Sequence, residues 1–534
     1  MPDAPAPPSR RELLAGAASF GATSLAAGCA PTAAPPSPLP VSAVAAESMA
    51  RGHRVRTPLV GRPAAGESTD VVVVGAGVAG LSAALALRAS GLAVRVLELG
   101  DAEGGTARAS HGAALGAHYL TLPSPEAVAV RELLHELGVI ESFTSDGRPH
   151  YAQAALCNAP EERLFVGGQF VEELWPLGVA TPEDVRQRDA FAALVAAWSA
   201  RVGADGRPAF AIPVAASSLD PELRALAHLS FAAWLDAQGL DAPAFRWTLE
   251  YACRDDFGVR PDRVSAWAGL HYFAARRPDP ADPGLGTHVL TWPEGNGWLV
   301  HRLRERLPSP PTTGAIVRAV EPDGRVWFEQ ADDPTIRGLR ARAVILAVPT
   351  PVAALLLGTA APVTPEAAPW LTVQLDVSAP PGGRGVRTAW DTVIYAADGL
   401  GYVDNAHFGH TAWRRSGPST LTWFRPMDDR AALRDLPDAD AAELALAELE
   451  VAHPRLRSIV TAARVCRFGH GTVVPTVGLH ALDTRGVPVL DPLLAPSGVV
   501  ERAHTDLSGM SLFEEACTHG VAAAARVRTR LVGA

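Results

Sequence analysis

Residues 70–74 read Asp-Val-Val-Val-Val and run directly into Gly75-Ala76-Gly77-Val78-Ala79-Gly80. The apolar, β-branched run predicts a strand buried on both faces. The glycines form a complete GxGxxG, and a helical pattern through Leu81, Leu85 and Leu87 to Gly91 follows. A second strand over residues 93–98 ends on Glu98, about 20 residues past the glycines. This order predicts a βαβ unit that cradles a dinucleotide. Gly75 permits the tight turn, Gly77 lets the backbone approach a pyrophosphate, and Gly80 lets helix and strand pack closely. Val78 and Ala79 open the helix, whose free N–H groups and partial positive charge face the phosphates. Glu98 is placed to accept hydrogen bonds from a ribose. A glycine-rich turn without a ligand is the competing reading, and the full register of strand, glycines, helix, strand and acid stands against it.

The 534-residue chain carries 47 basic and 57 acidic residues, a net charge of −10, and contains no lysine, so every basic residue is arginine. A net acidic chain without a basic tract speaks against nucleic acid as a partner. No run of 18 strictly apolar residues occurs, which speaks against an ordinary membrane-spanning helix. Ser9-Arg10-Arg11-Glu12-Leu13-Leu14 and the Ala/Gly-rich stretch after it read as a twin-arginine export signal over residues 1–29. Leu25-Ala26-Ala27-Gly28-Cys29 looks like a lipoprotein cleavage box, so a lipid on Cys29 is the one membrane attachment expected, and the periplasm or cell surface the expected location. Residues 30–68, rich in Pro and Ala, read as a linker. Cys157, Cys253, Cys466 and Cys517 are widely spaced, which fits either disulfides or isolated buried thiols and offers no zinc motif. Asp255-Asp256 lacks a third ligand at metal spacing, so no metal is expected.

Gly104-Gly105-Thr106-Ala107-Arg108 and Gly116-Ala117-His118-Tyr119-Leu120 carry a further signal. With the GxGxxG unit they resemble the flavin-containing amine oxidase superfamily, which includes monoamine and polyamine oxidases and is related to phytoene desaturases and protoporphyrinogen oxidases. The family has a double glycine followed by arginine after the ribose acid, then a Gly-Ala segment passing the flavin. Here Thr106 takes the arginine's place and Arg108 follows two residues later. The C-terminal region fits the same resemblance: Asp506 looks like the acid that meets the ribityl–pyrophosphate part of FAD, and the helix opening near Phe513 like the one aimed at the flavin pyrimidine. Val317 lies in a segment like the strand whose backbone meets the adenine.

The resemblance implies an α/β fold: a Rossmann-like FAD-binding domain of amine-oxidase type, over residues 69–150, 291–354 and 461–534, interleaved with an α+β substrate domain over 151–290 and 355–460. It implies FAD as cofactor and dehydrogenation of a small-molecule substrate by hydride transfer to flavin, with oxygen or a periplasmic carrier as electron acceptor. Many amine oxidases hold a water beside the flavin with a lysine, and this chain has none. His118 and Tyr119 are the candidate replacements, since a neutral histidine can hold a water or take a proton. A desaturase or isomerase acting on a hydrophobic polyene, and an FAD-bound electron carrier without turnover, are the alternatives.

In the intervening region, Ser124-Pro125, Thr181-Pro182 and Ser230 open helical patterns. Three polar-aromatic clusters supply substrate-pocket candidates: Tyr251, then His271 with Tyr272, then Trp292 with Asn296; His470 joins them from Phe468-Gly469-His470-Gly471. Core packing and capping are the competing roles for each of them.

Overall fold

The structure is a computed structural model that describes residues 38–276, 288–407 and 416–533. The signal reading over residues 1–29 and Cys29 therefore lie outside the described residues.

The first sheet is built around the strand Ala65–Val74, whose Val71, Val72 and Val73 are fully buried. It pairs in parallel with Val94–Leu97 on one side and with the long strand Asp333–Leu346 on the other. The long strand serves two partners along its far edge. Its start pairs antiparallel with Arg325–Gln330, which continues to Ala315–Val320, and its end pairs in parallel with Val500–Arg502. Helix Val78–Leu87 is apolar all round and buried at every residue but Ala86, because Phe513–Val532 and Gly297–Glu305 cover the face turned away from the sheet. The sheet's other face closes over helix Thr350–Leu357.

The second sheet has eight strands in the order Val41–Val44, Val460–Val474, Glu366–Val377, Ser419–Pro426, Tyr402–Asp404, Asp391–Ile394, Glu162–Val166 and Gln169–Glu172. Its residues alternate between two cores, as the period of a strand demands. Trp370 and Phe424 join an aromatic core with the helices Pro182–Ala200, Phe231–Ala237, Pro243–Phe257 and Ala266–Ala274. Leu371 and Trp423 join the opposite core under Asp438–Glu450.

The Pro182–Ala200 helix begins at the predicted Thr181-Pro182 pair, with Thr181 and Asp184 forming a reciprocal capping box. The Ser124-Pro125 signal leads to Val128–Glu136, and Ser230 caps Phe231–Ala237. All four cysteines at 157, 253, 466 and 517 are free and buried.

Two expected boundaries change. Val460–Val474, read as the start of the last FAD segment, lies in the eight-stranded sheet, because its alternating apolar residues fill the groove beside Glu366–Val377. The described part of the 30–68 linker is structured: it contains the Val41–Val44 strand, the Ala46–Arg54 helix and the first residues of Ala65–Val74. Pro and Ala content hid both elements, which are held by long-range pairing rather than by local propensity. No helix among the described residues is long and apolar enough to cross a membrane.

Candidate active site

The GxGxxG turn is held by contacts that exclude side chains at two of its glycines. A Cβ on Gly75, whose φ is +99°, would stand 2.4 Å from the Ala347 carbonyl oxygen, and one on Gly80 would stand 1.9 Å from that of Gly75. A Cβ on Gly77 would meet nothing within 4 Å, so this backbone faces open space at the N-terminus of the Val78–Leu87 helix. The double glycine docks against it: the Gly104 N–H donates to the Ala76 carbonyl (2.8 Å), and Gly77 and Gly104 form a parallel bridge. Val78 and Ala79 are buried in the first turn, so their contribution is the backbone N–H.

Glu98 closes the same groove. Its carboxylate accepts from the Ala76 N–H (2.7 Å) and the Gly100 N–H (2.8 Å). Burial still pushes its pKa up, against the pull of those bonds and of Arg108. The Glu98 carboxylate and the Arg108 guanidinium face the same side of Gly100. Arg108 Nε is buried without a partner, an orphaned donor beside the groove. Ala315–Val320 runs alongside, with the Ala315 N–H on the Glu98 carbonyl (2.8 Å), and its pairing with Arg325–Gln330 slips between Val317 and Ala319. The Val317 side chain itself is core.

At the far end, Asp506 accepts from the Thr350 N–H (2.6 Å) and lies 3.0 Å from His504. Burial works against its charge, but His504 and Thr350 outweigh it and hold its pKa below the ordinary value. Phe513 packs its ring into the core, so the helix it opens offers backbone rather than side chain here. An open helix N-terminus, a ribose acid, an orphaned arginine donor and two glycines with no room for a side chain fit FAD as a whole.

The Gly116–Tyr119 segment leads from this groove to a second one. The Ala117 N–H donates to the carbonyl of Thr106, the residue in the family arginine's place (2.9 Å). His118 stacks on Phe424 at 4.7 Å between ring centres and sits beside Tyr119 and Trp390. Its Nδ1 is 3.1 Å from the Gly116 carbonyl, which can only accept, so Nδ1 carries the hydrogen and Nε2 is left as an acceptor. Burial brings its pKa down to about 4, so the ring is neutral at pH 7.

Tyr119, Tyr251 and Tyr272 share one electrostatic neighbourhood with Asp255. All four side chains are half-buried, yet burial is the largest cause of each pKa shift. Partly exposed and within reach of one another's charges, these four groups form the candidate substrate recess. Asp256 is tied to Arg276 (2.7 Å), whose guanidinium also lies 3.8 Å over the Tyr272 ring. Asp255 has no such partner among the described residues, and the three tyrosine hydroxyls make no hydrogen bond there either. Burial, then Asp256, push the Asp255 carboxyl up to about 7. Glu162 keeps an exposed surface, yet the protein packed around it and then Glu161 raise its carboxyl to about 7, and Asp391, its register partner on the next strand, is raised well above the ordinary value.

The remaining pocket candidates fall elsewhere. His271 is core: it is 2% exposed, stacks on Trp267 and contacts the Ala211 carbonyl at 2.9 Å. Trp292 is buried in parallel stacking with Trp298, 4.8 Å away. Asn296 supports the site from behind, donating to the Tyr119 carbonyl (2.8 Å). His470 is exposed on Val460–Val474 and faces the charges of Arg430, Arg56 and Asp506, so it belongs to the cofactor groove rather than the recess. Asp255, Glu162 and Asp391 were missed as recess residues. A signal did exist for the first, since Tyr251 and Asp255 are four apart on one helix and so share a face.

Residues 70–219 match a family model described as an FAD binding domain. A 41-residue stretch is 63% identical to hydroxyneurosporene desaturase from Rhodobacter capsulatus, but the match spans only 8% of either chain. Solved structures align over most of the chain. An engineered putrescine oxidase aligns at TM-score 0.61 and 20% identity, covering 87% of this chain and 99% of its own. Cyclohexylamine oxidase from Brevibacterium oxydans aligns at 0.59 and 18%, covering 87% and 99%. A fatty acid isomerase from P. acnes aligns at 0.56 and 15%, covering 86% and 98%. With the groove geometry, these findings show an FAD binding domain over residues 70–219, in a chain that shares its fold with the oxidases and the isomerase it aligns with.

Proposed function

We propose that this protein dehydrogenates a small organic amine that enters the recess as a cation. The observation that carries this reading is the Asp255 carboxyl, without an ion-pair partner among the described residues, beside three tyrosines with open hydroxyls. Aromatic faces and a carboxylate are the two groups that recognise an ammonium ion in a water-poor site. The charge of Arg276 pulls the Asp255 pKa down, but its guanidinium is bonded to Asp256 and stacked on the Tyr272 face, and burial with Asp256 outweighs that pull. A cationic substrate supplies the missing countercharge.

Bound FAD supplies the two-electron acceptor. The chain's own residues place the substrate against it. Asp255 and the tyrosines fix the charged end, and Asn296 and Thr291 hold the 118–119 backbone in place (2.8 and 3.1 Å). His118, neutral with Nε2 open, stands in for the absent lysine as the group that holds a water or accepts the proton an amine loses on oxidation. The export signal reading makes this a periplasmic or surface activity, with oxygen or a periplasmic carrier taking the electrons.

The short match to a carotenoid-type desaturase favours a second reading, a polyene substrate. Buried acids and open hydroxyls are poor company for a hydrocarbon chain. Anaerobic addition of an amine panel to the yellow holoprotein separates the two. Bleaching of the flavin band near about 450 nm by amines, and not by carotenoid precursors in micelles, is expected. Bleaching by the polyene alone, or by neither, overturns the amine reading.

A further inference from the structure

The segment that precedes the first FAD strand joins the two sheets and passes the cofactor groove on its way. Val41–Val44 adds an edge strand to the eight-stranded sheet, in parallel with Ala463–Cys466 of its neighbour. Leu39 and Val41 pack into that sheet's core. The chain then forms the helix Ala46–Arg54, and Val55 packs against the core of the FAD-binding sheet. Arg54 pairs with Glu329 (2.9 Å), and the Thr57 carbonyl accepts from Arg318 (2.9 Å). Trp327 Nε1 donates to the Pro63 carbonyl (3.0 Å) before the strand Ala65–Val74 begins. The segment is thus a strap fastened at both ends.

Between the fastenings the strap meets the residues assigned to FAD. Arg51 Nη1 donates to the Leu99 carbonyl (3.1 Å) and to Asp101 Oδ1 (2.6 Å). These groups lie one and three residues after Glu98, and the Gly100 N–H between them holds the Glu98 carboxylate. Arg51 therefore clamps the turn that aims the ribose acid. The Arg51 side chain is only 16% exposed, although Asp101 is 64% exposed, so the clamp is sheltered from water on one side. Further along the strap, His53 and Arg56 lie within electrostatic reach of His470, as does Asp506 at the other end of the groove.

We infer that Arg51 is a cofactor-positioning residue and that the strap is a clasp which slows the release of FAD. The residues assigned to FAD lie on segments separated by hundreds of residues, and the strap runs from the second sheet to the Glu98 turn. Holding that turn in advance spares the cost of ordering it when FAD binds, and keeps Glu98 aimed at the ribose while FAD is bound. Arg51 acts through Glu98 and not on the reacting atoms. The inference rests on the FAD assignment alone and is independent of which substrate is oxidised.

The test is the rate at which full-length holoprotein loses FAD after dilution, followed as the rise of free-flavin fluorescence. Arg51→Gln is expected to release FAD about three to ten times faster, the size of one partly sheltered charge-assisted contact. Arg51→Lys, which keeps the charge but loses the fork, is expected to restore part of the slow release. Arg88→Gln breaks an exposed pair with Glu136 away from the groove and is expected to leave the rate unchanged. Should Arg51→Gln fail to fold, Asp101→Asn removes the other half of the pair from an exposed turn and gives the same reading. Release from Arg51→Gln, or from Asp101→Asn in its place, that matches the parent or Arg88→Gln overturns the inference.

Discussion

Asp255 carries a charge that its surroundings resist. Its carboxyl titrates near 7 in the folded state because burial, then Asp256, resist its charge. In the unfolded chain it returns to about 3.9. The folded form thus holds a proton that the unfolded form has lost between those values. Its contribution to stability is fully present below about 4 and is lost as pH rises through about 7. Asp255→Asn substitutes a neutral group of the same shape, so it is expected to raise the unfolding temperature of the substrate-free protein at pH 8 and to leave it unchanged near pH 4. The gain at pH 8 is on the order of 1–4 kcal/mol. Binding should move the other way: a non-oxidisable quaternary ammonium ligand, whose own charge is fixed, is expected to bind parent protein more tightly at pH 8 than at pH 6. Its binding to Asp255→Asn should be weak and flat with pH. A variant that keeps the parent's pH-dependent affinity would show that some other acid holds the cation.

At the scale of elements, the parts legible in the sequence are those whose rules are local. The βαβ unit was readable because its glycines answer local demands, Gly75 and Gly80 a contact within a few residues or on the next strand and Gly77 an open approach at the helix N-terminus. Gly80→Val makes this testable: with 1.9 Å to the Gly75 carbonyl, even the first side-chain atom cannot be seated without moving the turn. The expected outcome is a protein purified without its yellow colour, read as the ratio of absorbance near about 450 nm to that at 280 nm. Retention of the parent's ratio would remove the turn from the cofactor site. The Thr181 cap was readable for the same local reason. The strap was not, because its strand exists only through pairing with a partner more than 400 residues away and its helix carries no cap signal. The recess was half legible. Tyr251 and Tyr272 stood out as polar aromatics, but His271 and Trp292 looked the same in sequence and turned out to be core. Nothing local tells an aromatic facing a recess from one facing its neighbours, because that choice is made by the packing of separate helices.

At the scale of the whole molecule, neither layer is a continuous piece of chain. The FAD-binding sheet draws on residues near 70, 320–346 and 500, and the eight-stranded sheet on residues near 41, 165, 370–425 and 460–474. The chain crosses between the sheets several times, and the strap adds one more crossing at its start. A layer that begins to unfold must pull on segments that complete the other, so the two should lose structure together, unlike domains joined by a single linker. FAD binds only the folded form, so excess FAD should raise the common midpoint, by about 4 kcal/mol of added stability at a thousandfold excess over its dissociation constant. The measurement is a thermal melt followed by two probes. Free-flavin fluorescence reports the cofactor groove, and tryptophan fluorescence is dominated by rings such as Trp267 and Trp423 in the cores beside the eight-stranded sheet. The two curves are expected to coincide and to shift upward together when FAD is added. Flavin release many degrees below the tryptophan transition would mean that the groove opens on its own, and that interleaving the layers does not couple them.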